Sequence, residues 1–335
     1  MKVLVTGAGL VGAYAAAELV SRGHEVCLLD IEPDFAFSRA VIGAPFGEIV
    51  ADLTNVNELR DALTLREFDA IVHTAGMLRD KVIHNQHRAF EVNVCGSAAV
   101  GQIAIEKAVP RLLFVSSVAV YGPDVAGEHV AEEVGYAAES LYGHTKVLSE
   151  QWLKAICEPA DIGLTILRST GVYGAGQFRG GAWMGRQFQD YVAQALNPAV
   201  NEVVIEEDAL GTNEYLYVKD LARAIALSLE SDGARSGVTI MNVGAERIFT
   251  ASEVCGVFQE TFKTATFQYK LATTQLPAFL RLKRAVVIDR AKKLIGYAPH
   301  YGDLNDGVRD FVQESLRVDE AMSKMTSIPA GNQSW

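Results

Sequence analysis

The chain opens on Lys2-Val-Leu-Val-Thr-Gly7-Ala-Gly9-Leu-Val-Gly12-Ala-Tyr-Ala-Ala-Ala-Glu-Leu-Val20, a strand, a glycine turn and a helix in direct succession. Residues 2–6 are largely aliphatic and β-branched and read as a buried strand. The glycines at 7, 9 and 12 form a G-x-G-x-x-G turn, and the alanine-rich run 13–20 continues as a helix. The motif gains its meaning from that strand-turn-helix context. Glycines permit a tight turn and close backbone approach, and the helix N-terminus offers free N–H groups to a pyrophosphate. Gly7, Gly9, Leu10, Val11 and Gly12 are therefore candidate dinucleotide contacts.

Beyond this segment, short apolar runs recur at 25–30, 47–51, 69–73, 111–116 and 163–168, separated by amphipathic stretches such as 12–22, 55–66, 86–108 and 142–157. Strands alternating with helix-length segments predict an α/β fold, a doubly wound parallel sheet with helices on both faces, the Rossmann arrangement. After Gly171 the pattern changes, with glycines at 174, 176, 180, 181 and 185 around Arg179, Trp183 and Arg186, and a helix-like run at 185–196. Residues 212–230 and 238–244 read again as helix and buried strand of the main body. The expected division is a dinucleotide-binding domain of 1–171 plus about 212–244, and a smaller discontinuous substrate lobe of about 172–211 plus 245–320. The small and polar residues of 323–335 suggest a loosely ordered tail.

Composition narrows the function classes. A formal net charge of −11 disfavours nucleic acid and anionic membrane surfaces as partners, since both repel an acidic protein. Cys27, Cys95, Cys157 and Cys255 contain no C-x-x-C pair, so neither a metal site nor a disulfide framework is expected. Mean hydropathy is +0.13, but each apolar run is too short to span a bilayer, and the first residues already read as a strand. A cytoplasmic enzyme acting on a small molecule is the reading that follows.

Asp30 ends the second strand, beyond the helix that opens at Gly12, where a carboxylate accepts hydrogen bonds from ribose hydroxyls and repels a 2′-phosphate. The next basic residue after it is Arg39, so the cofactor expected is NAD rather than NADP. Asp52, followed by Leu53 after the third strand, is placed to meet the adenine amino group. Thr74, Ala75 and Gly76 end the fourth strand with small residues, as needed where backbone passes close to a dinucleotide.

Chemistry is carried by Tyr142-Gly-His-Thr-Lys146. Residues four apart on a helix share a face, so both side chains reach one ligand. Ser117 precedes this segment at the end of a buried strand. Tyrosine is a poor base near neutral pH, and a neighbouring ammonium together with a cationic nicotinamide favours its phenolate. Tyr142 is thus the candidate proton carrier for a secondary alcohol, Lys146 its electrostatic partner, and Ser117 a hydrogen-bond partner of the same substrate oxygen.

Taken together, these motifs resemble the extended short-chain dehydrogenase/reductase family, the NAD-dependent epimerase/dehydratase group. The resemblance runs through Thr6-Gly7, Asp30, Asp52, Asn93 in Glu91-Val-Asn-Val-Cys-Gly96, Phe114 to Gly122, Tyr142 to Lys146, Leu167 to Gly174, Tyr217 to Ala224 and Asp289 to Pro299. It implies that Ser117, Tyr142 and Lys146 form a catalytic trio, that Asn93 belongs to the cofactor site, and that helices 86–108 and 142–157 pair across a homodimer. Two departures stand out. One residue separates Gly7 from Gly9 where the family usually has two, and Asn213 stands where several nucleotide-sugar epimerases carry an arginine.

Dehydratases of this family resemble one another in placing acidic groups just after the catalytic hydroxyl. Here Val118 and Ala119 occupy that place, which disfavours elimination. Simple dehydrogenation of a sugar-like or hydroxy-acid substrate is the reading preferred from Asn213. Nucleotide-sugar 4-epimerisation on retained NAD is its alternative, with a non-catalytic NAD-sensing regulator behind both. Val118, Arg179, Asn213 and Arg284 are the candidate substrate contacts beside Ser117, with Arg186 and Arg281 as further cations.

Overall fold

The computed structural model describes residues 1–32, 34–122, 129–176, 183–273 and 284–326. Its strands are β1 (Lys2–Thr6), β2 (Glu25–Asp30), β3 (Gly47–Val50), β4 (Ala70–His73), β5 (Arg111–Ser117), β6 (Gly163–Ser169), β7 (Gly171–Tyr173), β8 (Glu202–Glu206), β9 (Thr212–Tyr217), β10 (Val238–Val243), β11 (Ile248–Thr250) and β12 (Thr266–Lys270). A 7-stranded sheet runs in the order β10-β6-β5-β4-β1-β2-β3. All its pairings are parallel.

Alternation along β1 shows how the sequence builds two layers. Val3 and Val5 face the core shared with helix Leu10–Ser21 and helix Val218–Glu230, through Leu10, Ala13, Leu221 and Ile225. Leu4 faces the opposite core with Leu59, Leu63, Val100, Ile103 and Leu153 from helices on the other side. Side chains of a strand point alternately to its two faces, so a strand covered on both must be apolar at each of these positions. Strand order reverses between β1 and β4. In open α/β sheets, ligands bind in the crevice beyond the carboxyl ends of strands at such a reversal.

The remaining strands form a 3-stranded sheet, β11-β9-β7, and a parallel pair, β12-β8. Here the structure corrects the reading of 212–230 as helix. Thr212–Tyr217 is a strand of the smaller sheet, and the helix starts at Val218. Tyr215, Leu216 and Tyr217 are buried one after another, which suits a strand covered on both sides better than an amphipathic turn. Tyr217, Tyr173, Phe188 and Tyr215 pack ring against ring in series, with ring centroids 5.0 to 5.1 Å apart. This series fastens the smaller sheet to helix Trp183–Leu196.

Two further differences concern helices. The expected continuous helix over 86–108 is divided into Gln86–Phe90, a π-helical turn at Glu91–Cys95, and Gly96–Glu106. The final helix, Leu304–Thr326, takes in residues 323–326 of the stretch expected to be loosely ordered, whose remainder lies outside the described residues. Lys324 pairs there with Glu320 one turn back at 2.6 Å. Among the described residues no helix is long and apolar enough to cross a membrane.

Candidate active site

The crevice beyond β1 and β4 is shaped by absent side chains. Gly7 has φ +91°, and a Cβ there would lie 2.8 Å from the Ala75 backbone. A Cβ on Gly12 would overlap the carbonyl of Gly7 itself. Gly9 caps helix Leu10–Ser21 in an extended conformation and brings no side-chain hydrogen bond to it. First-turn amides, here those of Leu10, Val11 and Gly12, have no helical carbonyl to serve, which is what an anion site requires.

Asp30 bears on the same loop. Its Oδ2 accepts the Ala8 N–H at 2.6 Å and its Oδ1 the Glu32 N–H at 3.0 Å. The carboxylate thus holds the shortened glycine turn against the end of β2 while keeping further lone pairs for ribose hydroxyls. Asp52 is more heavily engaged than expected. Its Oδ1 accepts from the backbone and hydroxyl of Thr54 at 2.9 and 2.8 Å, and its Oδ2 pairs with Arg88 at 2.9 Å. Burial opposes ionisation of this carboxyl, yet the bonds from Thr54 and Arg88 hold it below its ordinary range.

Gly76 links the dinucleotide crevice to the catalytic candidates. A Cβ on it would sit 3.2 Å from Asn93 Oδ1 and 3.8 Å from Lys146 Nζ. Asn93, buried in the π-helical turn, accepts the Met77 N–H at 2.6 Å and donates to Met77 O and Thr145 Oγ1, both at 3.0 Å. It ties the turn after β4 to helix Leu141–Cys157.

That helix begins with Ser140 as its cap, accepting the Gly143 N–H at 3.0 Å. Gly143 allows the first turn to lie directly on the Ala119 carbonyl, where any Cβ would collide. Tyr142 is thereby brought beside the turn Val118–Val120 that follows Ser117. Ser117 Oγ accepts the Ala119 N–H at 3.2 Å, which leaves its own proton to donate. Lys146 is buried, donates to Val115 O at 2.9 Å, and lies 4.6 Å from the Phe114 ring centre and 5.9 Å from that of Tyr142.

Burial pulls Lys146 down from 10.5 to about 8, with Glu150 opposing. His73, fully buried below the crevice, falls to about 3 through burial and then the Lys146 charge, so it is neutral. Its Nδ1 lies 2.7 Å from Thr6 Oγ1 and its Nε2 2.9 Å from Ser97 Oγ. The Ser97 hydroxyl donates to Asn93 O, so the imidazole carries its proton on Nε2 and accepts from Thr6. A directed chain thus runs from the glycine turn to Asn93.

Gly7, Gly9, Leu10, Val11, Gly12, Asp30, Thr74, Ala75, Gly76 and Asn93 therefore gather around one crevice that ends at Lys146. Thr74 contributes by donating its hydroxyl to Thr6 O at 2.8 Å. The Leu53 side chain is buried in the core that holds Leu4. Asn213 is buried and its amide donates to Leu210 O. Arg284 is half-buried, next to Ala285, whose carbonyl accepts the Val130 N–H at 3.0 Å, and Arg186 is exposed on helix Trp183–Leu196. Arg179 and Arg281 lie outside the described residues. Glu150 and Arg168, which the sequence reading did not single out, form a buried ion pair at 2.7 Å behind the trio.

Residues 3–244 match the NAD dependent epimerase/dehydratase family. The UDP-glucose 4-epimerase of Corynebacterium glutamicum is 26% identical over 335 residues, covering 92% of this chain and 94% of that protein. The UDP-glucose 4-epimerase of Erwinia amylovora is 26% identical over 281 residues, 78% of this chain and 82% of the other. Among solved structures, the UDP-glucose 4-epimerase of Thermotoga maritima with UDP-glucose superposes with TM-score 0.80 at 20% identity, over 96% of this chain and 100% of that one. The Stenotrophomonas maltophila UDP-glucose 4-epimerase with NAD and formylated UDP-arabinopyranose gives 0.78 at 24%, over 97% and 99%. These structural likenesses establish a shared fold.

Proposed function

Because the chain belongs to the NAD dependent epimerase/dehydratase family, an enzyme family whose cofactor is NAD, we propose that it is a nucleotide-sugar 4-epimerase working in the cytoplasm. The expectation of net dehydrogenation of a small acid yields to this reading, because similarity to a UDP-glucose 4-epimerase extends over 92% of the chain. The observation that carries it is the meeting of the glycine-lined crevice with Lys146, Tyr142 and the Ser117 turn at one end of the sheet.

The amides of Leu10, Val11 and Gly12 would hold the pyrophosphate, Asp30 would accept from the ribose hydroxyls, and the Gly76 turn would line the nicotinamide end. NAD supplies a reversible hydride acceptor when bound. Tyr142 takes the proton of the sugar hydroxyl and returns it after the sugar has turned its other face, while Ser117 donates to the same oxygen. Lys146, held by Val115 O and 5.9 Å from the Tyr142 ring centre, favours the phenolate. Val118 and Ala119 offer no second acid or base, which favours proton return over elimination. The smaller lobe, which carries the β11-β9-β7 sheet and the β12-β8 pair, is the nucleotide-sugar side of the site.

Net dehydrogenation of a smaller substrate stays as a second reading on one observation. Asn213 is neutral and turned to Leu210 O, so it provides no cation for a diphosphate. Incubation with UDP-glucose, UDP-galactose, sugar acids and hydroxy acids separates the two. Interconversion of UDP-sugars without accumulating NADH is the expected result, and accumulation of NADH with a small acid alone refutes it. Tyr142→Phe is expected to lower turnover by roughly 10²- to 10⁴-fold.

A homodimer contact belongs on helices Gly96–Glu106 and Leu141–Cys157 with the turns before them. Phe90, Ile105, Leu148 and Trp152 are between 39% and 54% exposed there, a grouping of large apolar side chains that favours a partner.

A further inference from the structure

Glu150 lies one helical turn beyond Lys146 and is fully enclosed. Its carboxylate receives Arg168 Nη2 at 2.7 Å, Arg168 Nε at 3.1 and 3.3 Å, the Tyr136 hydroxyl at 2.9 Å, and the hydroxyl of Ser116. Ser116 directly precedes Ser117. One buried anion thus joins the strand end that carries Ser117 to the helix that carries Tyr142 and Lys146. An unpaired charge at this depth would be very costly, and a pair whose remaining lone pairs and protons are also engaged is the form in which such charges persist.

The contacts continue beyond Arg168. Its Nη1 donates to the Tyr121 hydroxyl at 2.9 Å, and its guanidinium lies 4.9 Å from the Tyr121 ring centre. Tyr121 donates to Asn242 Oδ1 at 2.8 Å. The Asn242 amide donates to Val130 O at 3.0 Å and to Val287 O at 3.3 Å, and the Val287 N–H returns to Val130 O at 2.9 Å. The far end is the stretch 284–288, where the Val286 N–H is accepted at 2.9 Å by Glu214 of β9, a strand of the smaller sheet.

We infer that Glu150, Arg168, Tyr121 and Asn242 are positioning residues. Together they fix the Ser117 strand end against the Tyr142 helix and register both to the 284–288 stretch, so that the proton carriers and the substrate lobe keep one relative geometry. The kinetic consequence rests on the reaction proposed above, whereas the mechanical coupling is independent of substrate. A general stabilising role would give a different pattern. Such a pair would lower melting temperature when broken but leave turnover per folded molecule unchanged.

The test compares NAD-loaded full-length wild type, Tyr121→Phe and Glu150→Gln by peptide-resolved amide hydrogen exchange and by steady-state kinetics with UDP-glucose. Tyr121→Phe deletes one hydroxyl in the middle of the chain of contacts and keeps the ring, so it remains informative if Glu150→Gln does not fold. Expected in Tyr121→Phe are faster exchange in both the 141–146 and 284–288 peptides, and a fall in kcat on the order of tenfold with KM unchanged. Faster exchange confined to peptides around residue 121, or wild-type kcat per folded molecule, overturns the inference. A wild type that leaves UDP-sugars untouched refutes the reaction instead, and the exchange comparison still decides the coupling.

Discussion

Gly143→Ala is a one-carbon test of how the active site is assembled. Alanine ordinarily stabilises a helix relative to glycine by about 1 kcal/mol, so by propensity alone the variant gains. The structure opposes this. A Cβ at 143 would collide with the Ala119 carbonyl oxygen and lie 3.0 Å from Ala138 Cβ. Both neighbours are held, Ala119 by its N–H to Ser117 Oγ and Ala138 by the segment that pairs Ala137 with Val120. The helix start must therefore retreat by about 1 Å, carrying Tyr142 away from Ser117, and a misplacement of that size costs up to roughly 10²-fold in rate. Overpacking of this kind costs about 1 to 3 kcal/mol, which outweighs the propensity gain. The expected outcome is kcat lowered between roughly ten- and a hundredfold, NAD content unchanged because the glycine turn is remote, and a lower melting temperature. UDP-sugar interconversion, cofactor stoichiometry and thermal unfolding measure these three quantities. A variant with wild-type kcat and a raised melting temperature would refute the claim that Gly143 sets the Tyr142 position.

Asp30→Ala removes both the proposed ribose contact and the acceptor of the Ala8 N–H; calorimetry of the apo protein should find NAD bound roughly ten- to a hundredfold more weakly, from the loss of charge-assisted hydrogen bonds. Trp152→Asp places a charge at a 54% exposed apolar position of helix Leu141–Cys157 and should shift sedimentation from dimer to monomer with the fold intact. Persistence of the dimer would move the interface elsewhere. Lys146 gives opposite pH trends for stability and turnover. Its folded value is depressed from 10.5 to about 8, so between these limits the unfolded chain binds more protons and stability rises with pH, a rise that Lys146→Met abolishes in denaturant titrations. Turnover that needs the ammonium declines over the same window; a turnover profile flat through pH 8 would argue against the role given to Lys146.

The legible part of the molecule is the part whose geometry is local. Gly7, Gly9 and Gly12 share one turn with the strand before them and the helix after them, and Tyr142 and Lys146 share one helix face, so spacing alone places them. Asp30 was readable for a related reason: the end of β2 lies beside the end of β1 in any sheet of this winding, and Leu29 pairs with Thr6. The reading of 212–230 failed where two elements meet without a glycine or proline between them, at Tyr217 and Val218. Asp52 was found, but its engagement by Arg88, from the helix Gln86–Phe90, depends on a contact that no local pattern announces.

Arg168 marks the boundary between what spacing can and cannot supply. A guanidinium inside Gly163-Leu-Thr-Ile-Leu-Arg-Ser169, a strand buried along its whole length, is itself a signal in the sequence. Arginine is almost never fully buried unless paired, so the residue demands a carboxylate from some other element. The chain offers many, and Glu132, Glu133, Glu139 and Glu150 all precede it closely. Glu150 is selected only by packing, because helix Leu141–Cys157 turns its buried face, with Thr145, Lys146, Ser149 and Leu153, toward β5 and β6. Lys146 and Glu150 share that face at a spacing of one turn. The requirement that Lys146 face the site therefore also delivers Glu150 to the strands behind it, where Ser116 and Arg168 meet it. The candidate catalytic lysine and the proposed positioning anion are thus consequences of one helix orientation, and a substitution that rotates the helix must disturb both.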